Sequence, residues 1–418
     1  MRTNRVGSAV ALVAVVAAVS ASPAGAAQRY VSESGGNAAP CTQVSPCSIV
    51  TGVNSAGNGD EVIVAPGTYT INSTLINFSS ALTVHGPAGG PQPIINSSAT
   101  TGMQLSGPNA TVRDLTINHT GSGSTYGLVL TNAPSLIDHV SVRSTETPCG
   151  SGATIRDSLC VATGNDNGFT FIASAGTFNL KLRNVTAIAA GNAVGVSLAT
   201  QNAATASLDG RNVIARGSGS GADISALTTA ATATATATMQ TSNYDLVSAV
   251  GSGTESVTAA GTGTNQTAQP IFGDTTDYLQ AAGSPTIDAG STDADTGTTT
   301  DLGGSPRVQG AAIDIGADEF TPAVAPDTTP PATTIDKGPK KKTKSKKATF
   351  VFSSSEVGST FVCKVDKKAE APCTSPLQLK KLKKGKHTLS VVATDAAGNA
   401  DATPASYRWK VKRKPKKG

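Results

Sequence analysis

A short pattern recurs along the first three quarters of the chain. Val112-Arg113-Asp114-Leu115-Thr116-Ile117, Ile137-Asp138-His139-Val140-Ser141-Val142, Ile155-Arg156-Asp157-Ser158-Leu159-Cys160 and Leu182-Arg183-Asn184-Val185-Thr186-Ala187 share it, and Arg211-Asn212-Val213 continues it less cleanly. The anchors Leu115, Val140, Ser158, Val185 and Val213 lie 25, 18, 27 and 28 residues apart. Between them are short β-branched runs punctuated by Gly, Asn, Pro and Ser, with no amphipathic helix of useful length. A period of this size built only from strands and turns is the mark of a β-solenoid, in which each repeat is one coil. A single thin coil cannot bury its own apolar face, but coils stacked about 4.8 Å apart can.

Other segments fit such a stack. Ala230 to Met239 alternates Ala with Thr, which on a pleated strand puts methyls inward and hydroxyls outward; a low-complexity linker is the competing reading. These are expected to be the last coil positions before a C-terminal cap. Asp60 to Ile71 reads as a strand, a Pro-Gly turn and the start of another strand. Pro46 to Gly57 is the one stretch suited to a short helix, placed where an N-terminal cap belongs.

Residues 1–26 have the layout of a secretory signal peptide: Arg2 and Arg5, an apolar stretch from Ala9 to Val19, then Ala24-Gly25-Ala26. That stretch is shorter than the ~20 residues of a membrane span, and no later segment reads as a transmembrane one. The expectation is a secreted, extracellular protein, with attachment to a cell surface in view. The six cysteines form close pairs along the chain, Cys41 with Cys47, Cys149 with Cys160 and Cys363 with Cys373, which in an exported protein favours local disulfides. A metal site is disfavoured, because Cys-x-x-Cys spacing and nearby histidines are missing. With aromatics at 4%, an ordinary helical globule is disfavoured too. Small polar residues also suit disorder, but the regular return of Val, Ile and Leu argues for an ordered stack.

Charge is divided along the chain. From Lys337 onward 22 Lys and Arg face 5 Asp and Glu, a net of +17, while residues 1–336 carry −12. The densest clusters are Lys340, Lys341, Lys342, Lys344, Lys346 and Lys347, and Lys380, Lys381, Lys383, Lys384 and Lys386, followed by a Lys-rich tail to Lys417. Such a field attracts polyanions; a solubilising surface is the plainer alternative. A Pro/Thr- and Lys-rich linker over 321–347 is expected to lead into a domain at 348–418. There Thr349–Ser353, Thr360–Asp366, Leu377–Leu382, His387–Thr394 and Ser406–Val411 alternate as the strands of a small sandwich.

Cys47-Ser48-Ile49, Asp60-Glu61-Val62-Ile63-Val64-Ala65-Pro66-Gly67-Thr68-Tyr69, Gly283-Ser284-Pro285-Thr286-Ile287-Asp288-Ala289-Gly290, Asp301-Leu302-Gly303-Gly304-Ser305-Pro306-Arg307 and Asp314-Ile315-Gly316-Ala317-Asp318-Glu319 together resemble the bacterial extracellular right-handed parallel β-helix proteins of pectate-lyase-like fold. The resemblance spans roughly residues 28–320 and implies a β-helix domain over 27–320 with N- and C-terminal caps. Phe361-Val362-Cys363, Cys373-Thr374-Ser375-Pro376, Gly385-Lys386-His387-Thr388 and Ala393-Thr394-Asp395-Ala396-Ala397-Gly398-Asn399 are similar to bacterial immunoglobulin-like modules, whose role is spacing or attachment. The fold class expected is therefore all-β: a right-handed parallel β-helix followed by a small immunoglobulin-like β-sandwich.

Catalysis has one candidate constellation. The repeat places Asp114, His139 and Asp157 in one column with Asn184 and Asn212, so that two carboxylates and an imidazole fall within about 10 Å if they face solvent. The competing reading is structural, since Asn and Asp at coil corners tolerate tight turns and stack into ladders. The Gly-His-Gly segment and paired aspartates that the resemblance implies for hydrolases do not occur as a set. The Lys or Arg base and calcium-bridged carboxylates implied for lyases find Lys181 as the sole lysine between Ala27 and Asp336. Arg113, Arg156, Arg183 and Arg211 remain, and a column of arginines beside acids also reads as a solvated ion ladder. Asp293 and Asp295 with Asp301 offer calcium its oxygen ligands but lack the closing Glu of an EF-hand loop, so an acidic surface loop is the alternative. Sugar grooves present aromatic rings, and the coils hold few: Tyr126, Phe169, Phe171 and Phe178, the three Phe assigned to the core.

The functional expectation is a monomeric, non-catalytic surface or matrix protein. It has an interaction face on the solenoid, a polyanion-binding C-terminal domain, no cofactor apart from that calcium option, and an anionic cell-wall polymer or extracellular polysaccharide as partner. Nucleic acid is disfavoured because the chain is exported and Tyr407 and Trp409 are assigned to the core. The alternative is a polysaccharide lyase or glycoside hydrolase of pectate-lyase type.

Overall fold

The computed structural model describes residues 26–412 apart from 39, 124–125, 133, 152–153, 260–264, 294, 296–299 and 323–326. The signal-peptide reading of residues 1–26 and the tail beyond Lys412 thus lie outside the described residues, Ala26 aside. The chain divides into two compact units, Met1–Thr321 and Pro322–Gly418. Strands dominate both. The only helix among the described residues is Ile49–Asn54, and no helix is long and apolar enough to cross a membrane.

The first unit is a solenoid-like stack of parallel strands. One sheet runs from Gln28–Gly36 through Glu61–Val64, Thr83–His85, Thr111–His119, Leu136–Ser144, Thr154–Ala162, Thr177–Ile188, Thr205–Arg216 and Thr234–Gln240 to Thr254–Ala259. A second runs from Leu75–Asn77 through Met103–Leu105, Tyr126–Leu130, Thr147–Ser151, Phe169–Ala173, Val196–Thr200 and Ile224–Thr228 to Val247–Gly251. The long strands of the first sheet serve two walls. Thr111–His119 pairs through Thr111 to Arg113 with Thr83–His85, and through Thr116 to His119 with Ile94–Ser97.

What turns the corner between the walls is one residue. Asp114, His139, Asp157, Asn184, Asn212 and Thr241 have φ of 56, 53, 45, 55, 55 and 44°. Left-handed backbone is costly for most L-residues and most readily adopted by Asn, Asp and His. The column read from the repeat is therefore the column of bends, and the strand register stacks it coil on coil.

Just after each bend the chain points inward again, and the anchors Leu115, Val140, Ser158, Val185 and Val213 are all fully buried. Ser158 fits this apolar column because its hydroxyl accepts from Val140 N–H at 3.1 Å and donates to the Arg156 carbonyl, so nothing polar is left unmet. Thr234–Gln240 buries Ala235, Ala237 and Met239 and turns its threonines outward. It is not the last coil, because Val247–Gly251 and Thr254–Ala259 add another.

At the other end the helix Ile49–Asn54 closes the stack. Ser48 caps it by accepting from Thr51 N–H at 3.3 Å, and Ile49, Gly52 and Val53 face the first coil. A Cβ on Gly52 would stand 2.3 Å from Val31 Cγ2, so only glycine allows this approach. Disulfides join Cys41 to Cys47 and Cys149 to Cys160, the latter tying strands of the two sheets across the core.

The segment after the last coil departs from the expected end cap. It runs back along the outside as a strap: Gln266 N–H reaches the Ser242 carbonyl, Ser291 N–H reaches Asn212 Oδ1, and Leu302 lies against Gln92. The physical reason lies in the strands beneath. Leu159, Val161, Ile188 and Ile214 point outward from the corner, and Ile315 and Ala317 of the strap cover them as a separate apolar cluster. Strands apolar on both faces need cover on both.

The second unit has a three-stranded sheet (Thr333–Lys337, Ala348–Ser354, Leu377–Leu379) and a five-stranded one in the order Lys342–Thr343, Ala405–Val411, Gly385–Thr394, Thr360–Val365 and Ala371–Cys373. Phe350, Phe352, Leu389, Val391, Trp409 and Val411 form the core between them, and Cys363 is bonded to Cys373. Part of the stretch expected as linker is structured, since Thr333–Lys337 and Lys342–Thr343 are strands.

Candidate functional site

In the first unit the corner column and the strap enclose a cleft of about 680 Å³. Its floor is Arg113, Asp114, Asp138, His139 and Arg156 on three adjacent strands; Gly89 to Gln92 form one wall, and Leu279, Thr300, Leu302 and Asp318 of the strap another. Asp138 pairs in register with Arg113 on one side and Arg156 on the other. Its carboxylate accepts from His139 Nδ1 at 2.8 Å and from Arg156 Nη2 at 2.7 Å. The other ring nitrogen of His139 lies 3.1 Å from the Thr300 carbonyl.

These contacts set the charges. Burial works to lower the imidazole of His139, but the Asp138 carboxylate outweighs it and holds the ring above its ordinary value. Burial would raise Asp138, yet the hydrogen bonds from His139 and Arg156 keep it below the usual carboxylate range. Asp114 goes the other way, pushed up by burial more than Arg113 and His139 pull it down. Asp318 is pushed up to about 7 by burial, with the Asp301 charge adding to it.

The three residues singled out by the repeat do share a column, but they do not share solvent. Asp157 is fully buried, accepts from Asn184 Nδ2 at 2.8 Å and lies 3.6 Å from Arg307 Nε. Asn184 in turn accepts from Asn212 Nδ2 at 2.8 Å. From Asp157 onward the column is thus a buried amide ladder, and only Asp114 and His139 reach the cleft. The acid that faces the cleft beside them is Asp138. Its signal was present in the repeat, as the one carboxylate in a position otherwise filled by Arg113, Arg156, Arg183 and Arg211.

Potential ligand atoms of Asp138, His139 and Asp157 lie within 4.8 Å of one another. Arg156 on Asp138 and Arg307 beside Asp157 already supply the countercharge, so the donor set suits an ion-pair network better than a cation. The calcium reading of Asp293, Asp295 and Asp301 fares similarly. Asp293 sits 3.0 Å from Arg183 and 3.1 Å from Arg211, and Asp295 2.5 Å from Lys181. Asp301 is buried and accepts from Ser305 N–H in its own turn and from Glu319 N–H further along the strap. Asp293 and Asp295 clasp the strap to the basic column of the solenoid.

The second unit gathers the lysines. Lys344, Lys346 and Lys347 from one loop meet Lys381, Lys383 and Lys384 from another around a concave surface of about 1030 Å³ that Lys412 also lines. The loops are joined through Leu382 N–H and the Lys346 carbonyl at 3.0 Å. His387, held 2.8 Å from Asp366, donates its other nitrogen to the Lys383 carbonyl at 2.7 Å. A neighbouring concavity is lined by Lys341, Lys342, Lys386, Arg408 and Lys410, with the Lys341 ammonium 3.7 Å above the Tyr407 ring. Lys340 and Lys380 are exposed close by in sequence.

Comparison of the chain with protein-family models, with curated proteins and with solved structures finds no match.

Proposed function

We propose that this is an exported right-handed parallel β-helix protein of pectate-lyase-like fold with an immunoglobulin-like basic module, acting without catalysis at a cell surface or in an extracellular matrix. Its module grips an anionic polymer of the wall or matrix. The observation that carries the reading is the meeting of two lysine loops, distant in sequence, around one concave surface. Export is supported by the disulfides, and right-handedness by the near-universal hand of parallel crossovers. Chain beginning at residue 27 is expected to bind an anionic wall polymer at low salt. Binding should weaken steeply toward physiological salt, where the screening length is ~8 Å. No binding at low salt, or binding indifferent to salt, rejects the reading.

A second reading, a polysaccharide lyase or hydrolase, is favoured by one observation. The cleft holds two carboxyl groups, Asp114 and Asp138, that their surroundings push in opposite directions, a pattern suited to an acid and a base. Incubation with uronate and neutral polysaccharides, with and without calcium, separates the two readings. New unsaturated or reducing ends support the enzyme.

A further inference from the structure

We infer that the basic surface of the second unit is a track for an extended, linear polyanion carrying about one charge per 5 Å, not a pocket for a single phosphate or carboxylate. This rests on the polyanion reading above and specifies its partner.

The track begins as a row. Lys386 stands opposite Lys410, and Lys410 opposite Lys342, on three adjacent strands. Residues in register share a face, and the alternation that buries Trp409 and His387 turns these three lysines outward. Their backbones are therefore about 4.8 Å apart in a straight line. Like charges placed directly opposite destabilise a strand pair. Among the described residues, the ion pairs of this unit are Lys364 with Glu370 and His387 with Asp366, so none of the three is relieved by a carboxylate. A ligand carrying closely spaced negative charges relieves all three together.

The row does not stop at the sheet. Two residues further on, just past the ends of their strands, Lys412 and Lys344 enter the concavity that Lys346, Lys383 and Lys384 also line. Lys412 N–H donates to the Thr343 carbonyl at 2.7 Å, which keeps the two strands side by side there. Two strand spacings and two residues of rise, extended by the loops, give a path on the order of 20 Å. An extended polymer crosses it with roughly four charges, whereas a lone anion meets one or two lysines. The loops are bolted by the Leu382–Lys346 and His387–Lys383 hydrogen bonds, so little ordering cost opposes binding.

The test uses chain beginning at residue 27 and two probe series, inorganic polyphosphate and galacturonate oligomers, each from two units to long chains and compared at equal total charge. Affinity per charge is expected to rise at least tenfold from two units to the length that spans the track, on the order of 20 Å, and then level off. A difference between the series tells phosphate from carboxylate polymers. Lys342→Ala/Lys386→Ala/Lys410→Ala and Lys346→Ala/Lys383→Ala/Lys384→Ala should each lower long-chain affinity at least tenfold and leave two-unit binding within twofold. Lys337→Ala/Lys364→Ala/Lys368→Ala, with the same change of charge off the track, should keep the length dependence. Affinity that follows charge irrespective of length, or equal losses in all three variants, overturns the track while the polyanion reading stands. Failure of every long chain to bind overturns that reading itself.

Discussion

His139 and Asp138 are neighbours in sequence and partners in space, with Nδ1 2.8 Å from Oδ1, and the same imidazole reaches the Thr300 carbonyl of the strap at 3.1 Å. A left-handed residue at the bend lets successive side chains both face out, and the ring then bridges solenoid and strap. Its protonation state is thereby linked to how firmly the strap is held.

Burial works against the charged ring, but Asp138 raises it above its ordinary 6.5. Asp318 and Glu319 are pushed up to about 7, chiefly by burial. Groups raised in the folded state stabilise it fully below their unfolded values and lose that contribution as pH climbs through the folded ones. Asp138, held low, contributes above its unfolded value, and this is lost as pH falls through the folded one. The strap should thus be tightest near pH 4, just above the unfolded value of Asp138, and loosen toward pH 8. Hydrogen exchange over residues 300–320, corrected for intrinsic rates, checks this. His139→Gln and Asp318→Asn should each flatten the profile, and a strap equally protected at both pH values contradicts it.

The amide ladder gives a second expectation. Asn184→Ala removes the donor to Asp157 and the acceptor of Asn212 while keeping a Cβ at positive φ. A loss of about 2–4 kcal/mol is expected from unmet buried groups and backbone strain together. Asn184→Gly should recover about 1 kcal/mol of that by removing the strain. Thermal or denaturant melts of the two variants measure the difference, and equal melting would show that φ is not the constraint.

Gly316 brings the strap backbone against the corner. With φ of 114°, its N–H reaches the Asn212 carbonyl at 2.9 Å, and an added Cβ would lie 2.8 Å from Ile214 Cδ1. Gly316→Ala should therefore raise exchange across residues 313–319 more than in the coils. Unchanged exchange there would mean that the strap docks without this contact.

The Cys149–Cys160 bridge closes a short loop inside the core. Replacing both by Ala should cost about 2–4 kcal/mol from the freer unfolded chain and leave the circular dichroism spectrum strand-rich. A spectrum that turns helical or unordered would mean the coils depend on the bridge to form.

The repeat alone determined that the chain is built from parallel coils, because inward Leu115, Val140 and Val185 recur with a turn-forming residue just before each. It also determined which residues share a column, since strand pairing keeps register over neighbouring coils. The lysine density was equally plain in the sequence, being a property of composition. What only the tertiary structure decided was which members of each column meet water. Asp157 is sealed and Asp138 faces the cleft because the strap, brought back from residues 266–320, covers some corners and leaves others open. Its course depends on outward Leu159, Val161, Ile188 and Ile214 needing cover, a contact over more than a hundred residues that no local pattern encodes. Likewise, Lys342, Lys410 and Lys386 form a row only once three strands lie side by side, since charge is written in the sequence but the distance between charges is set by packing.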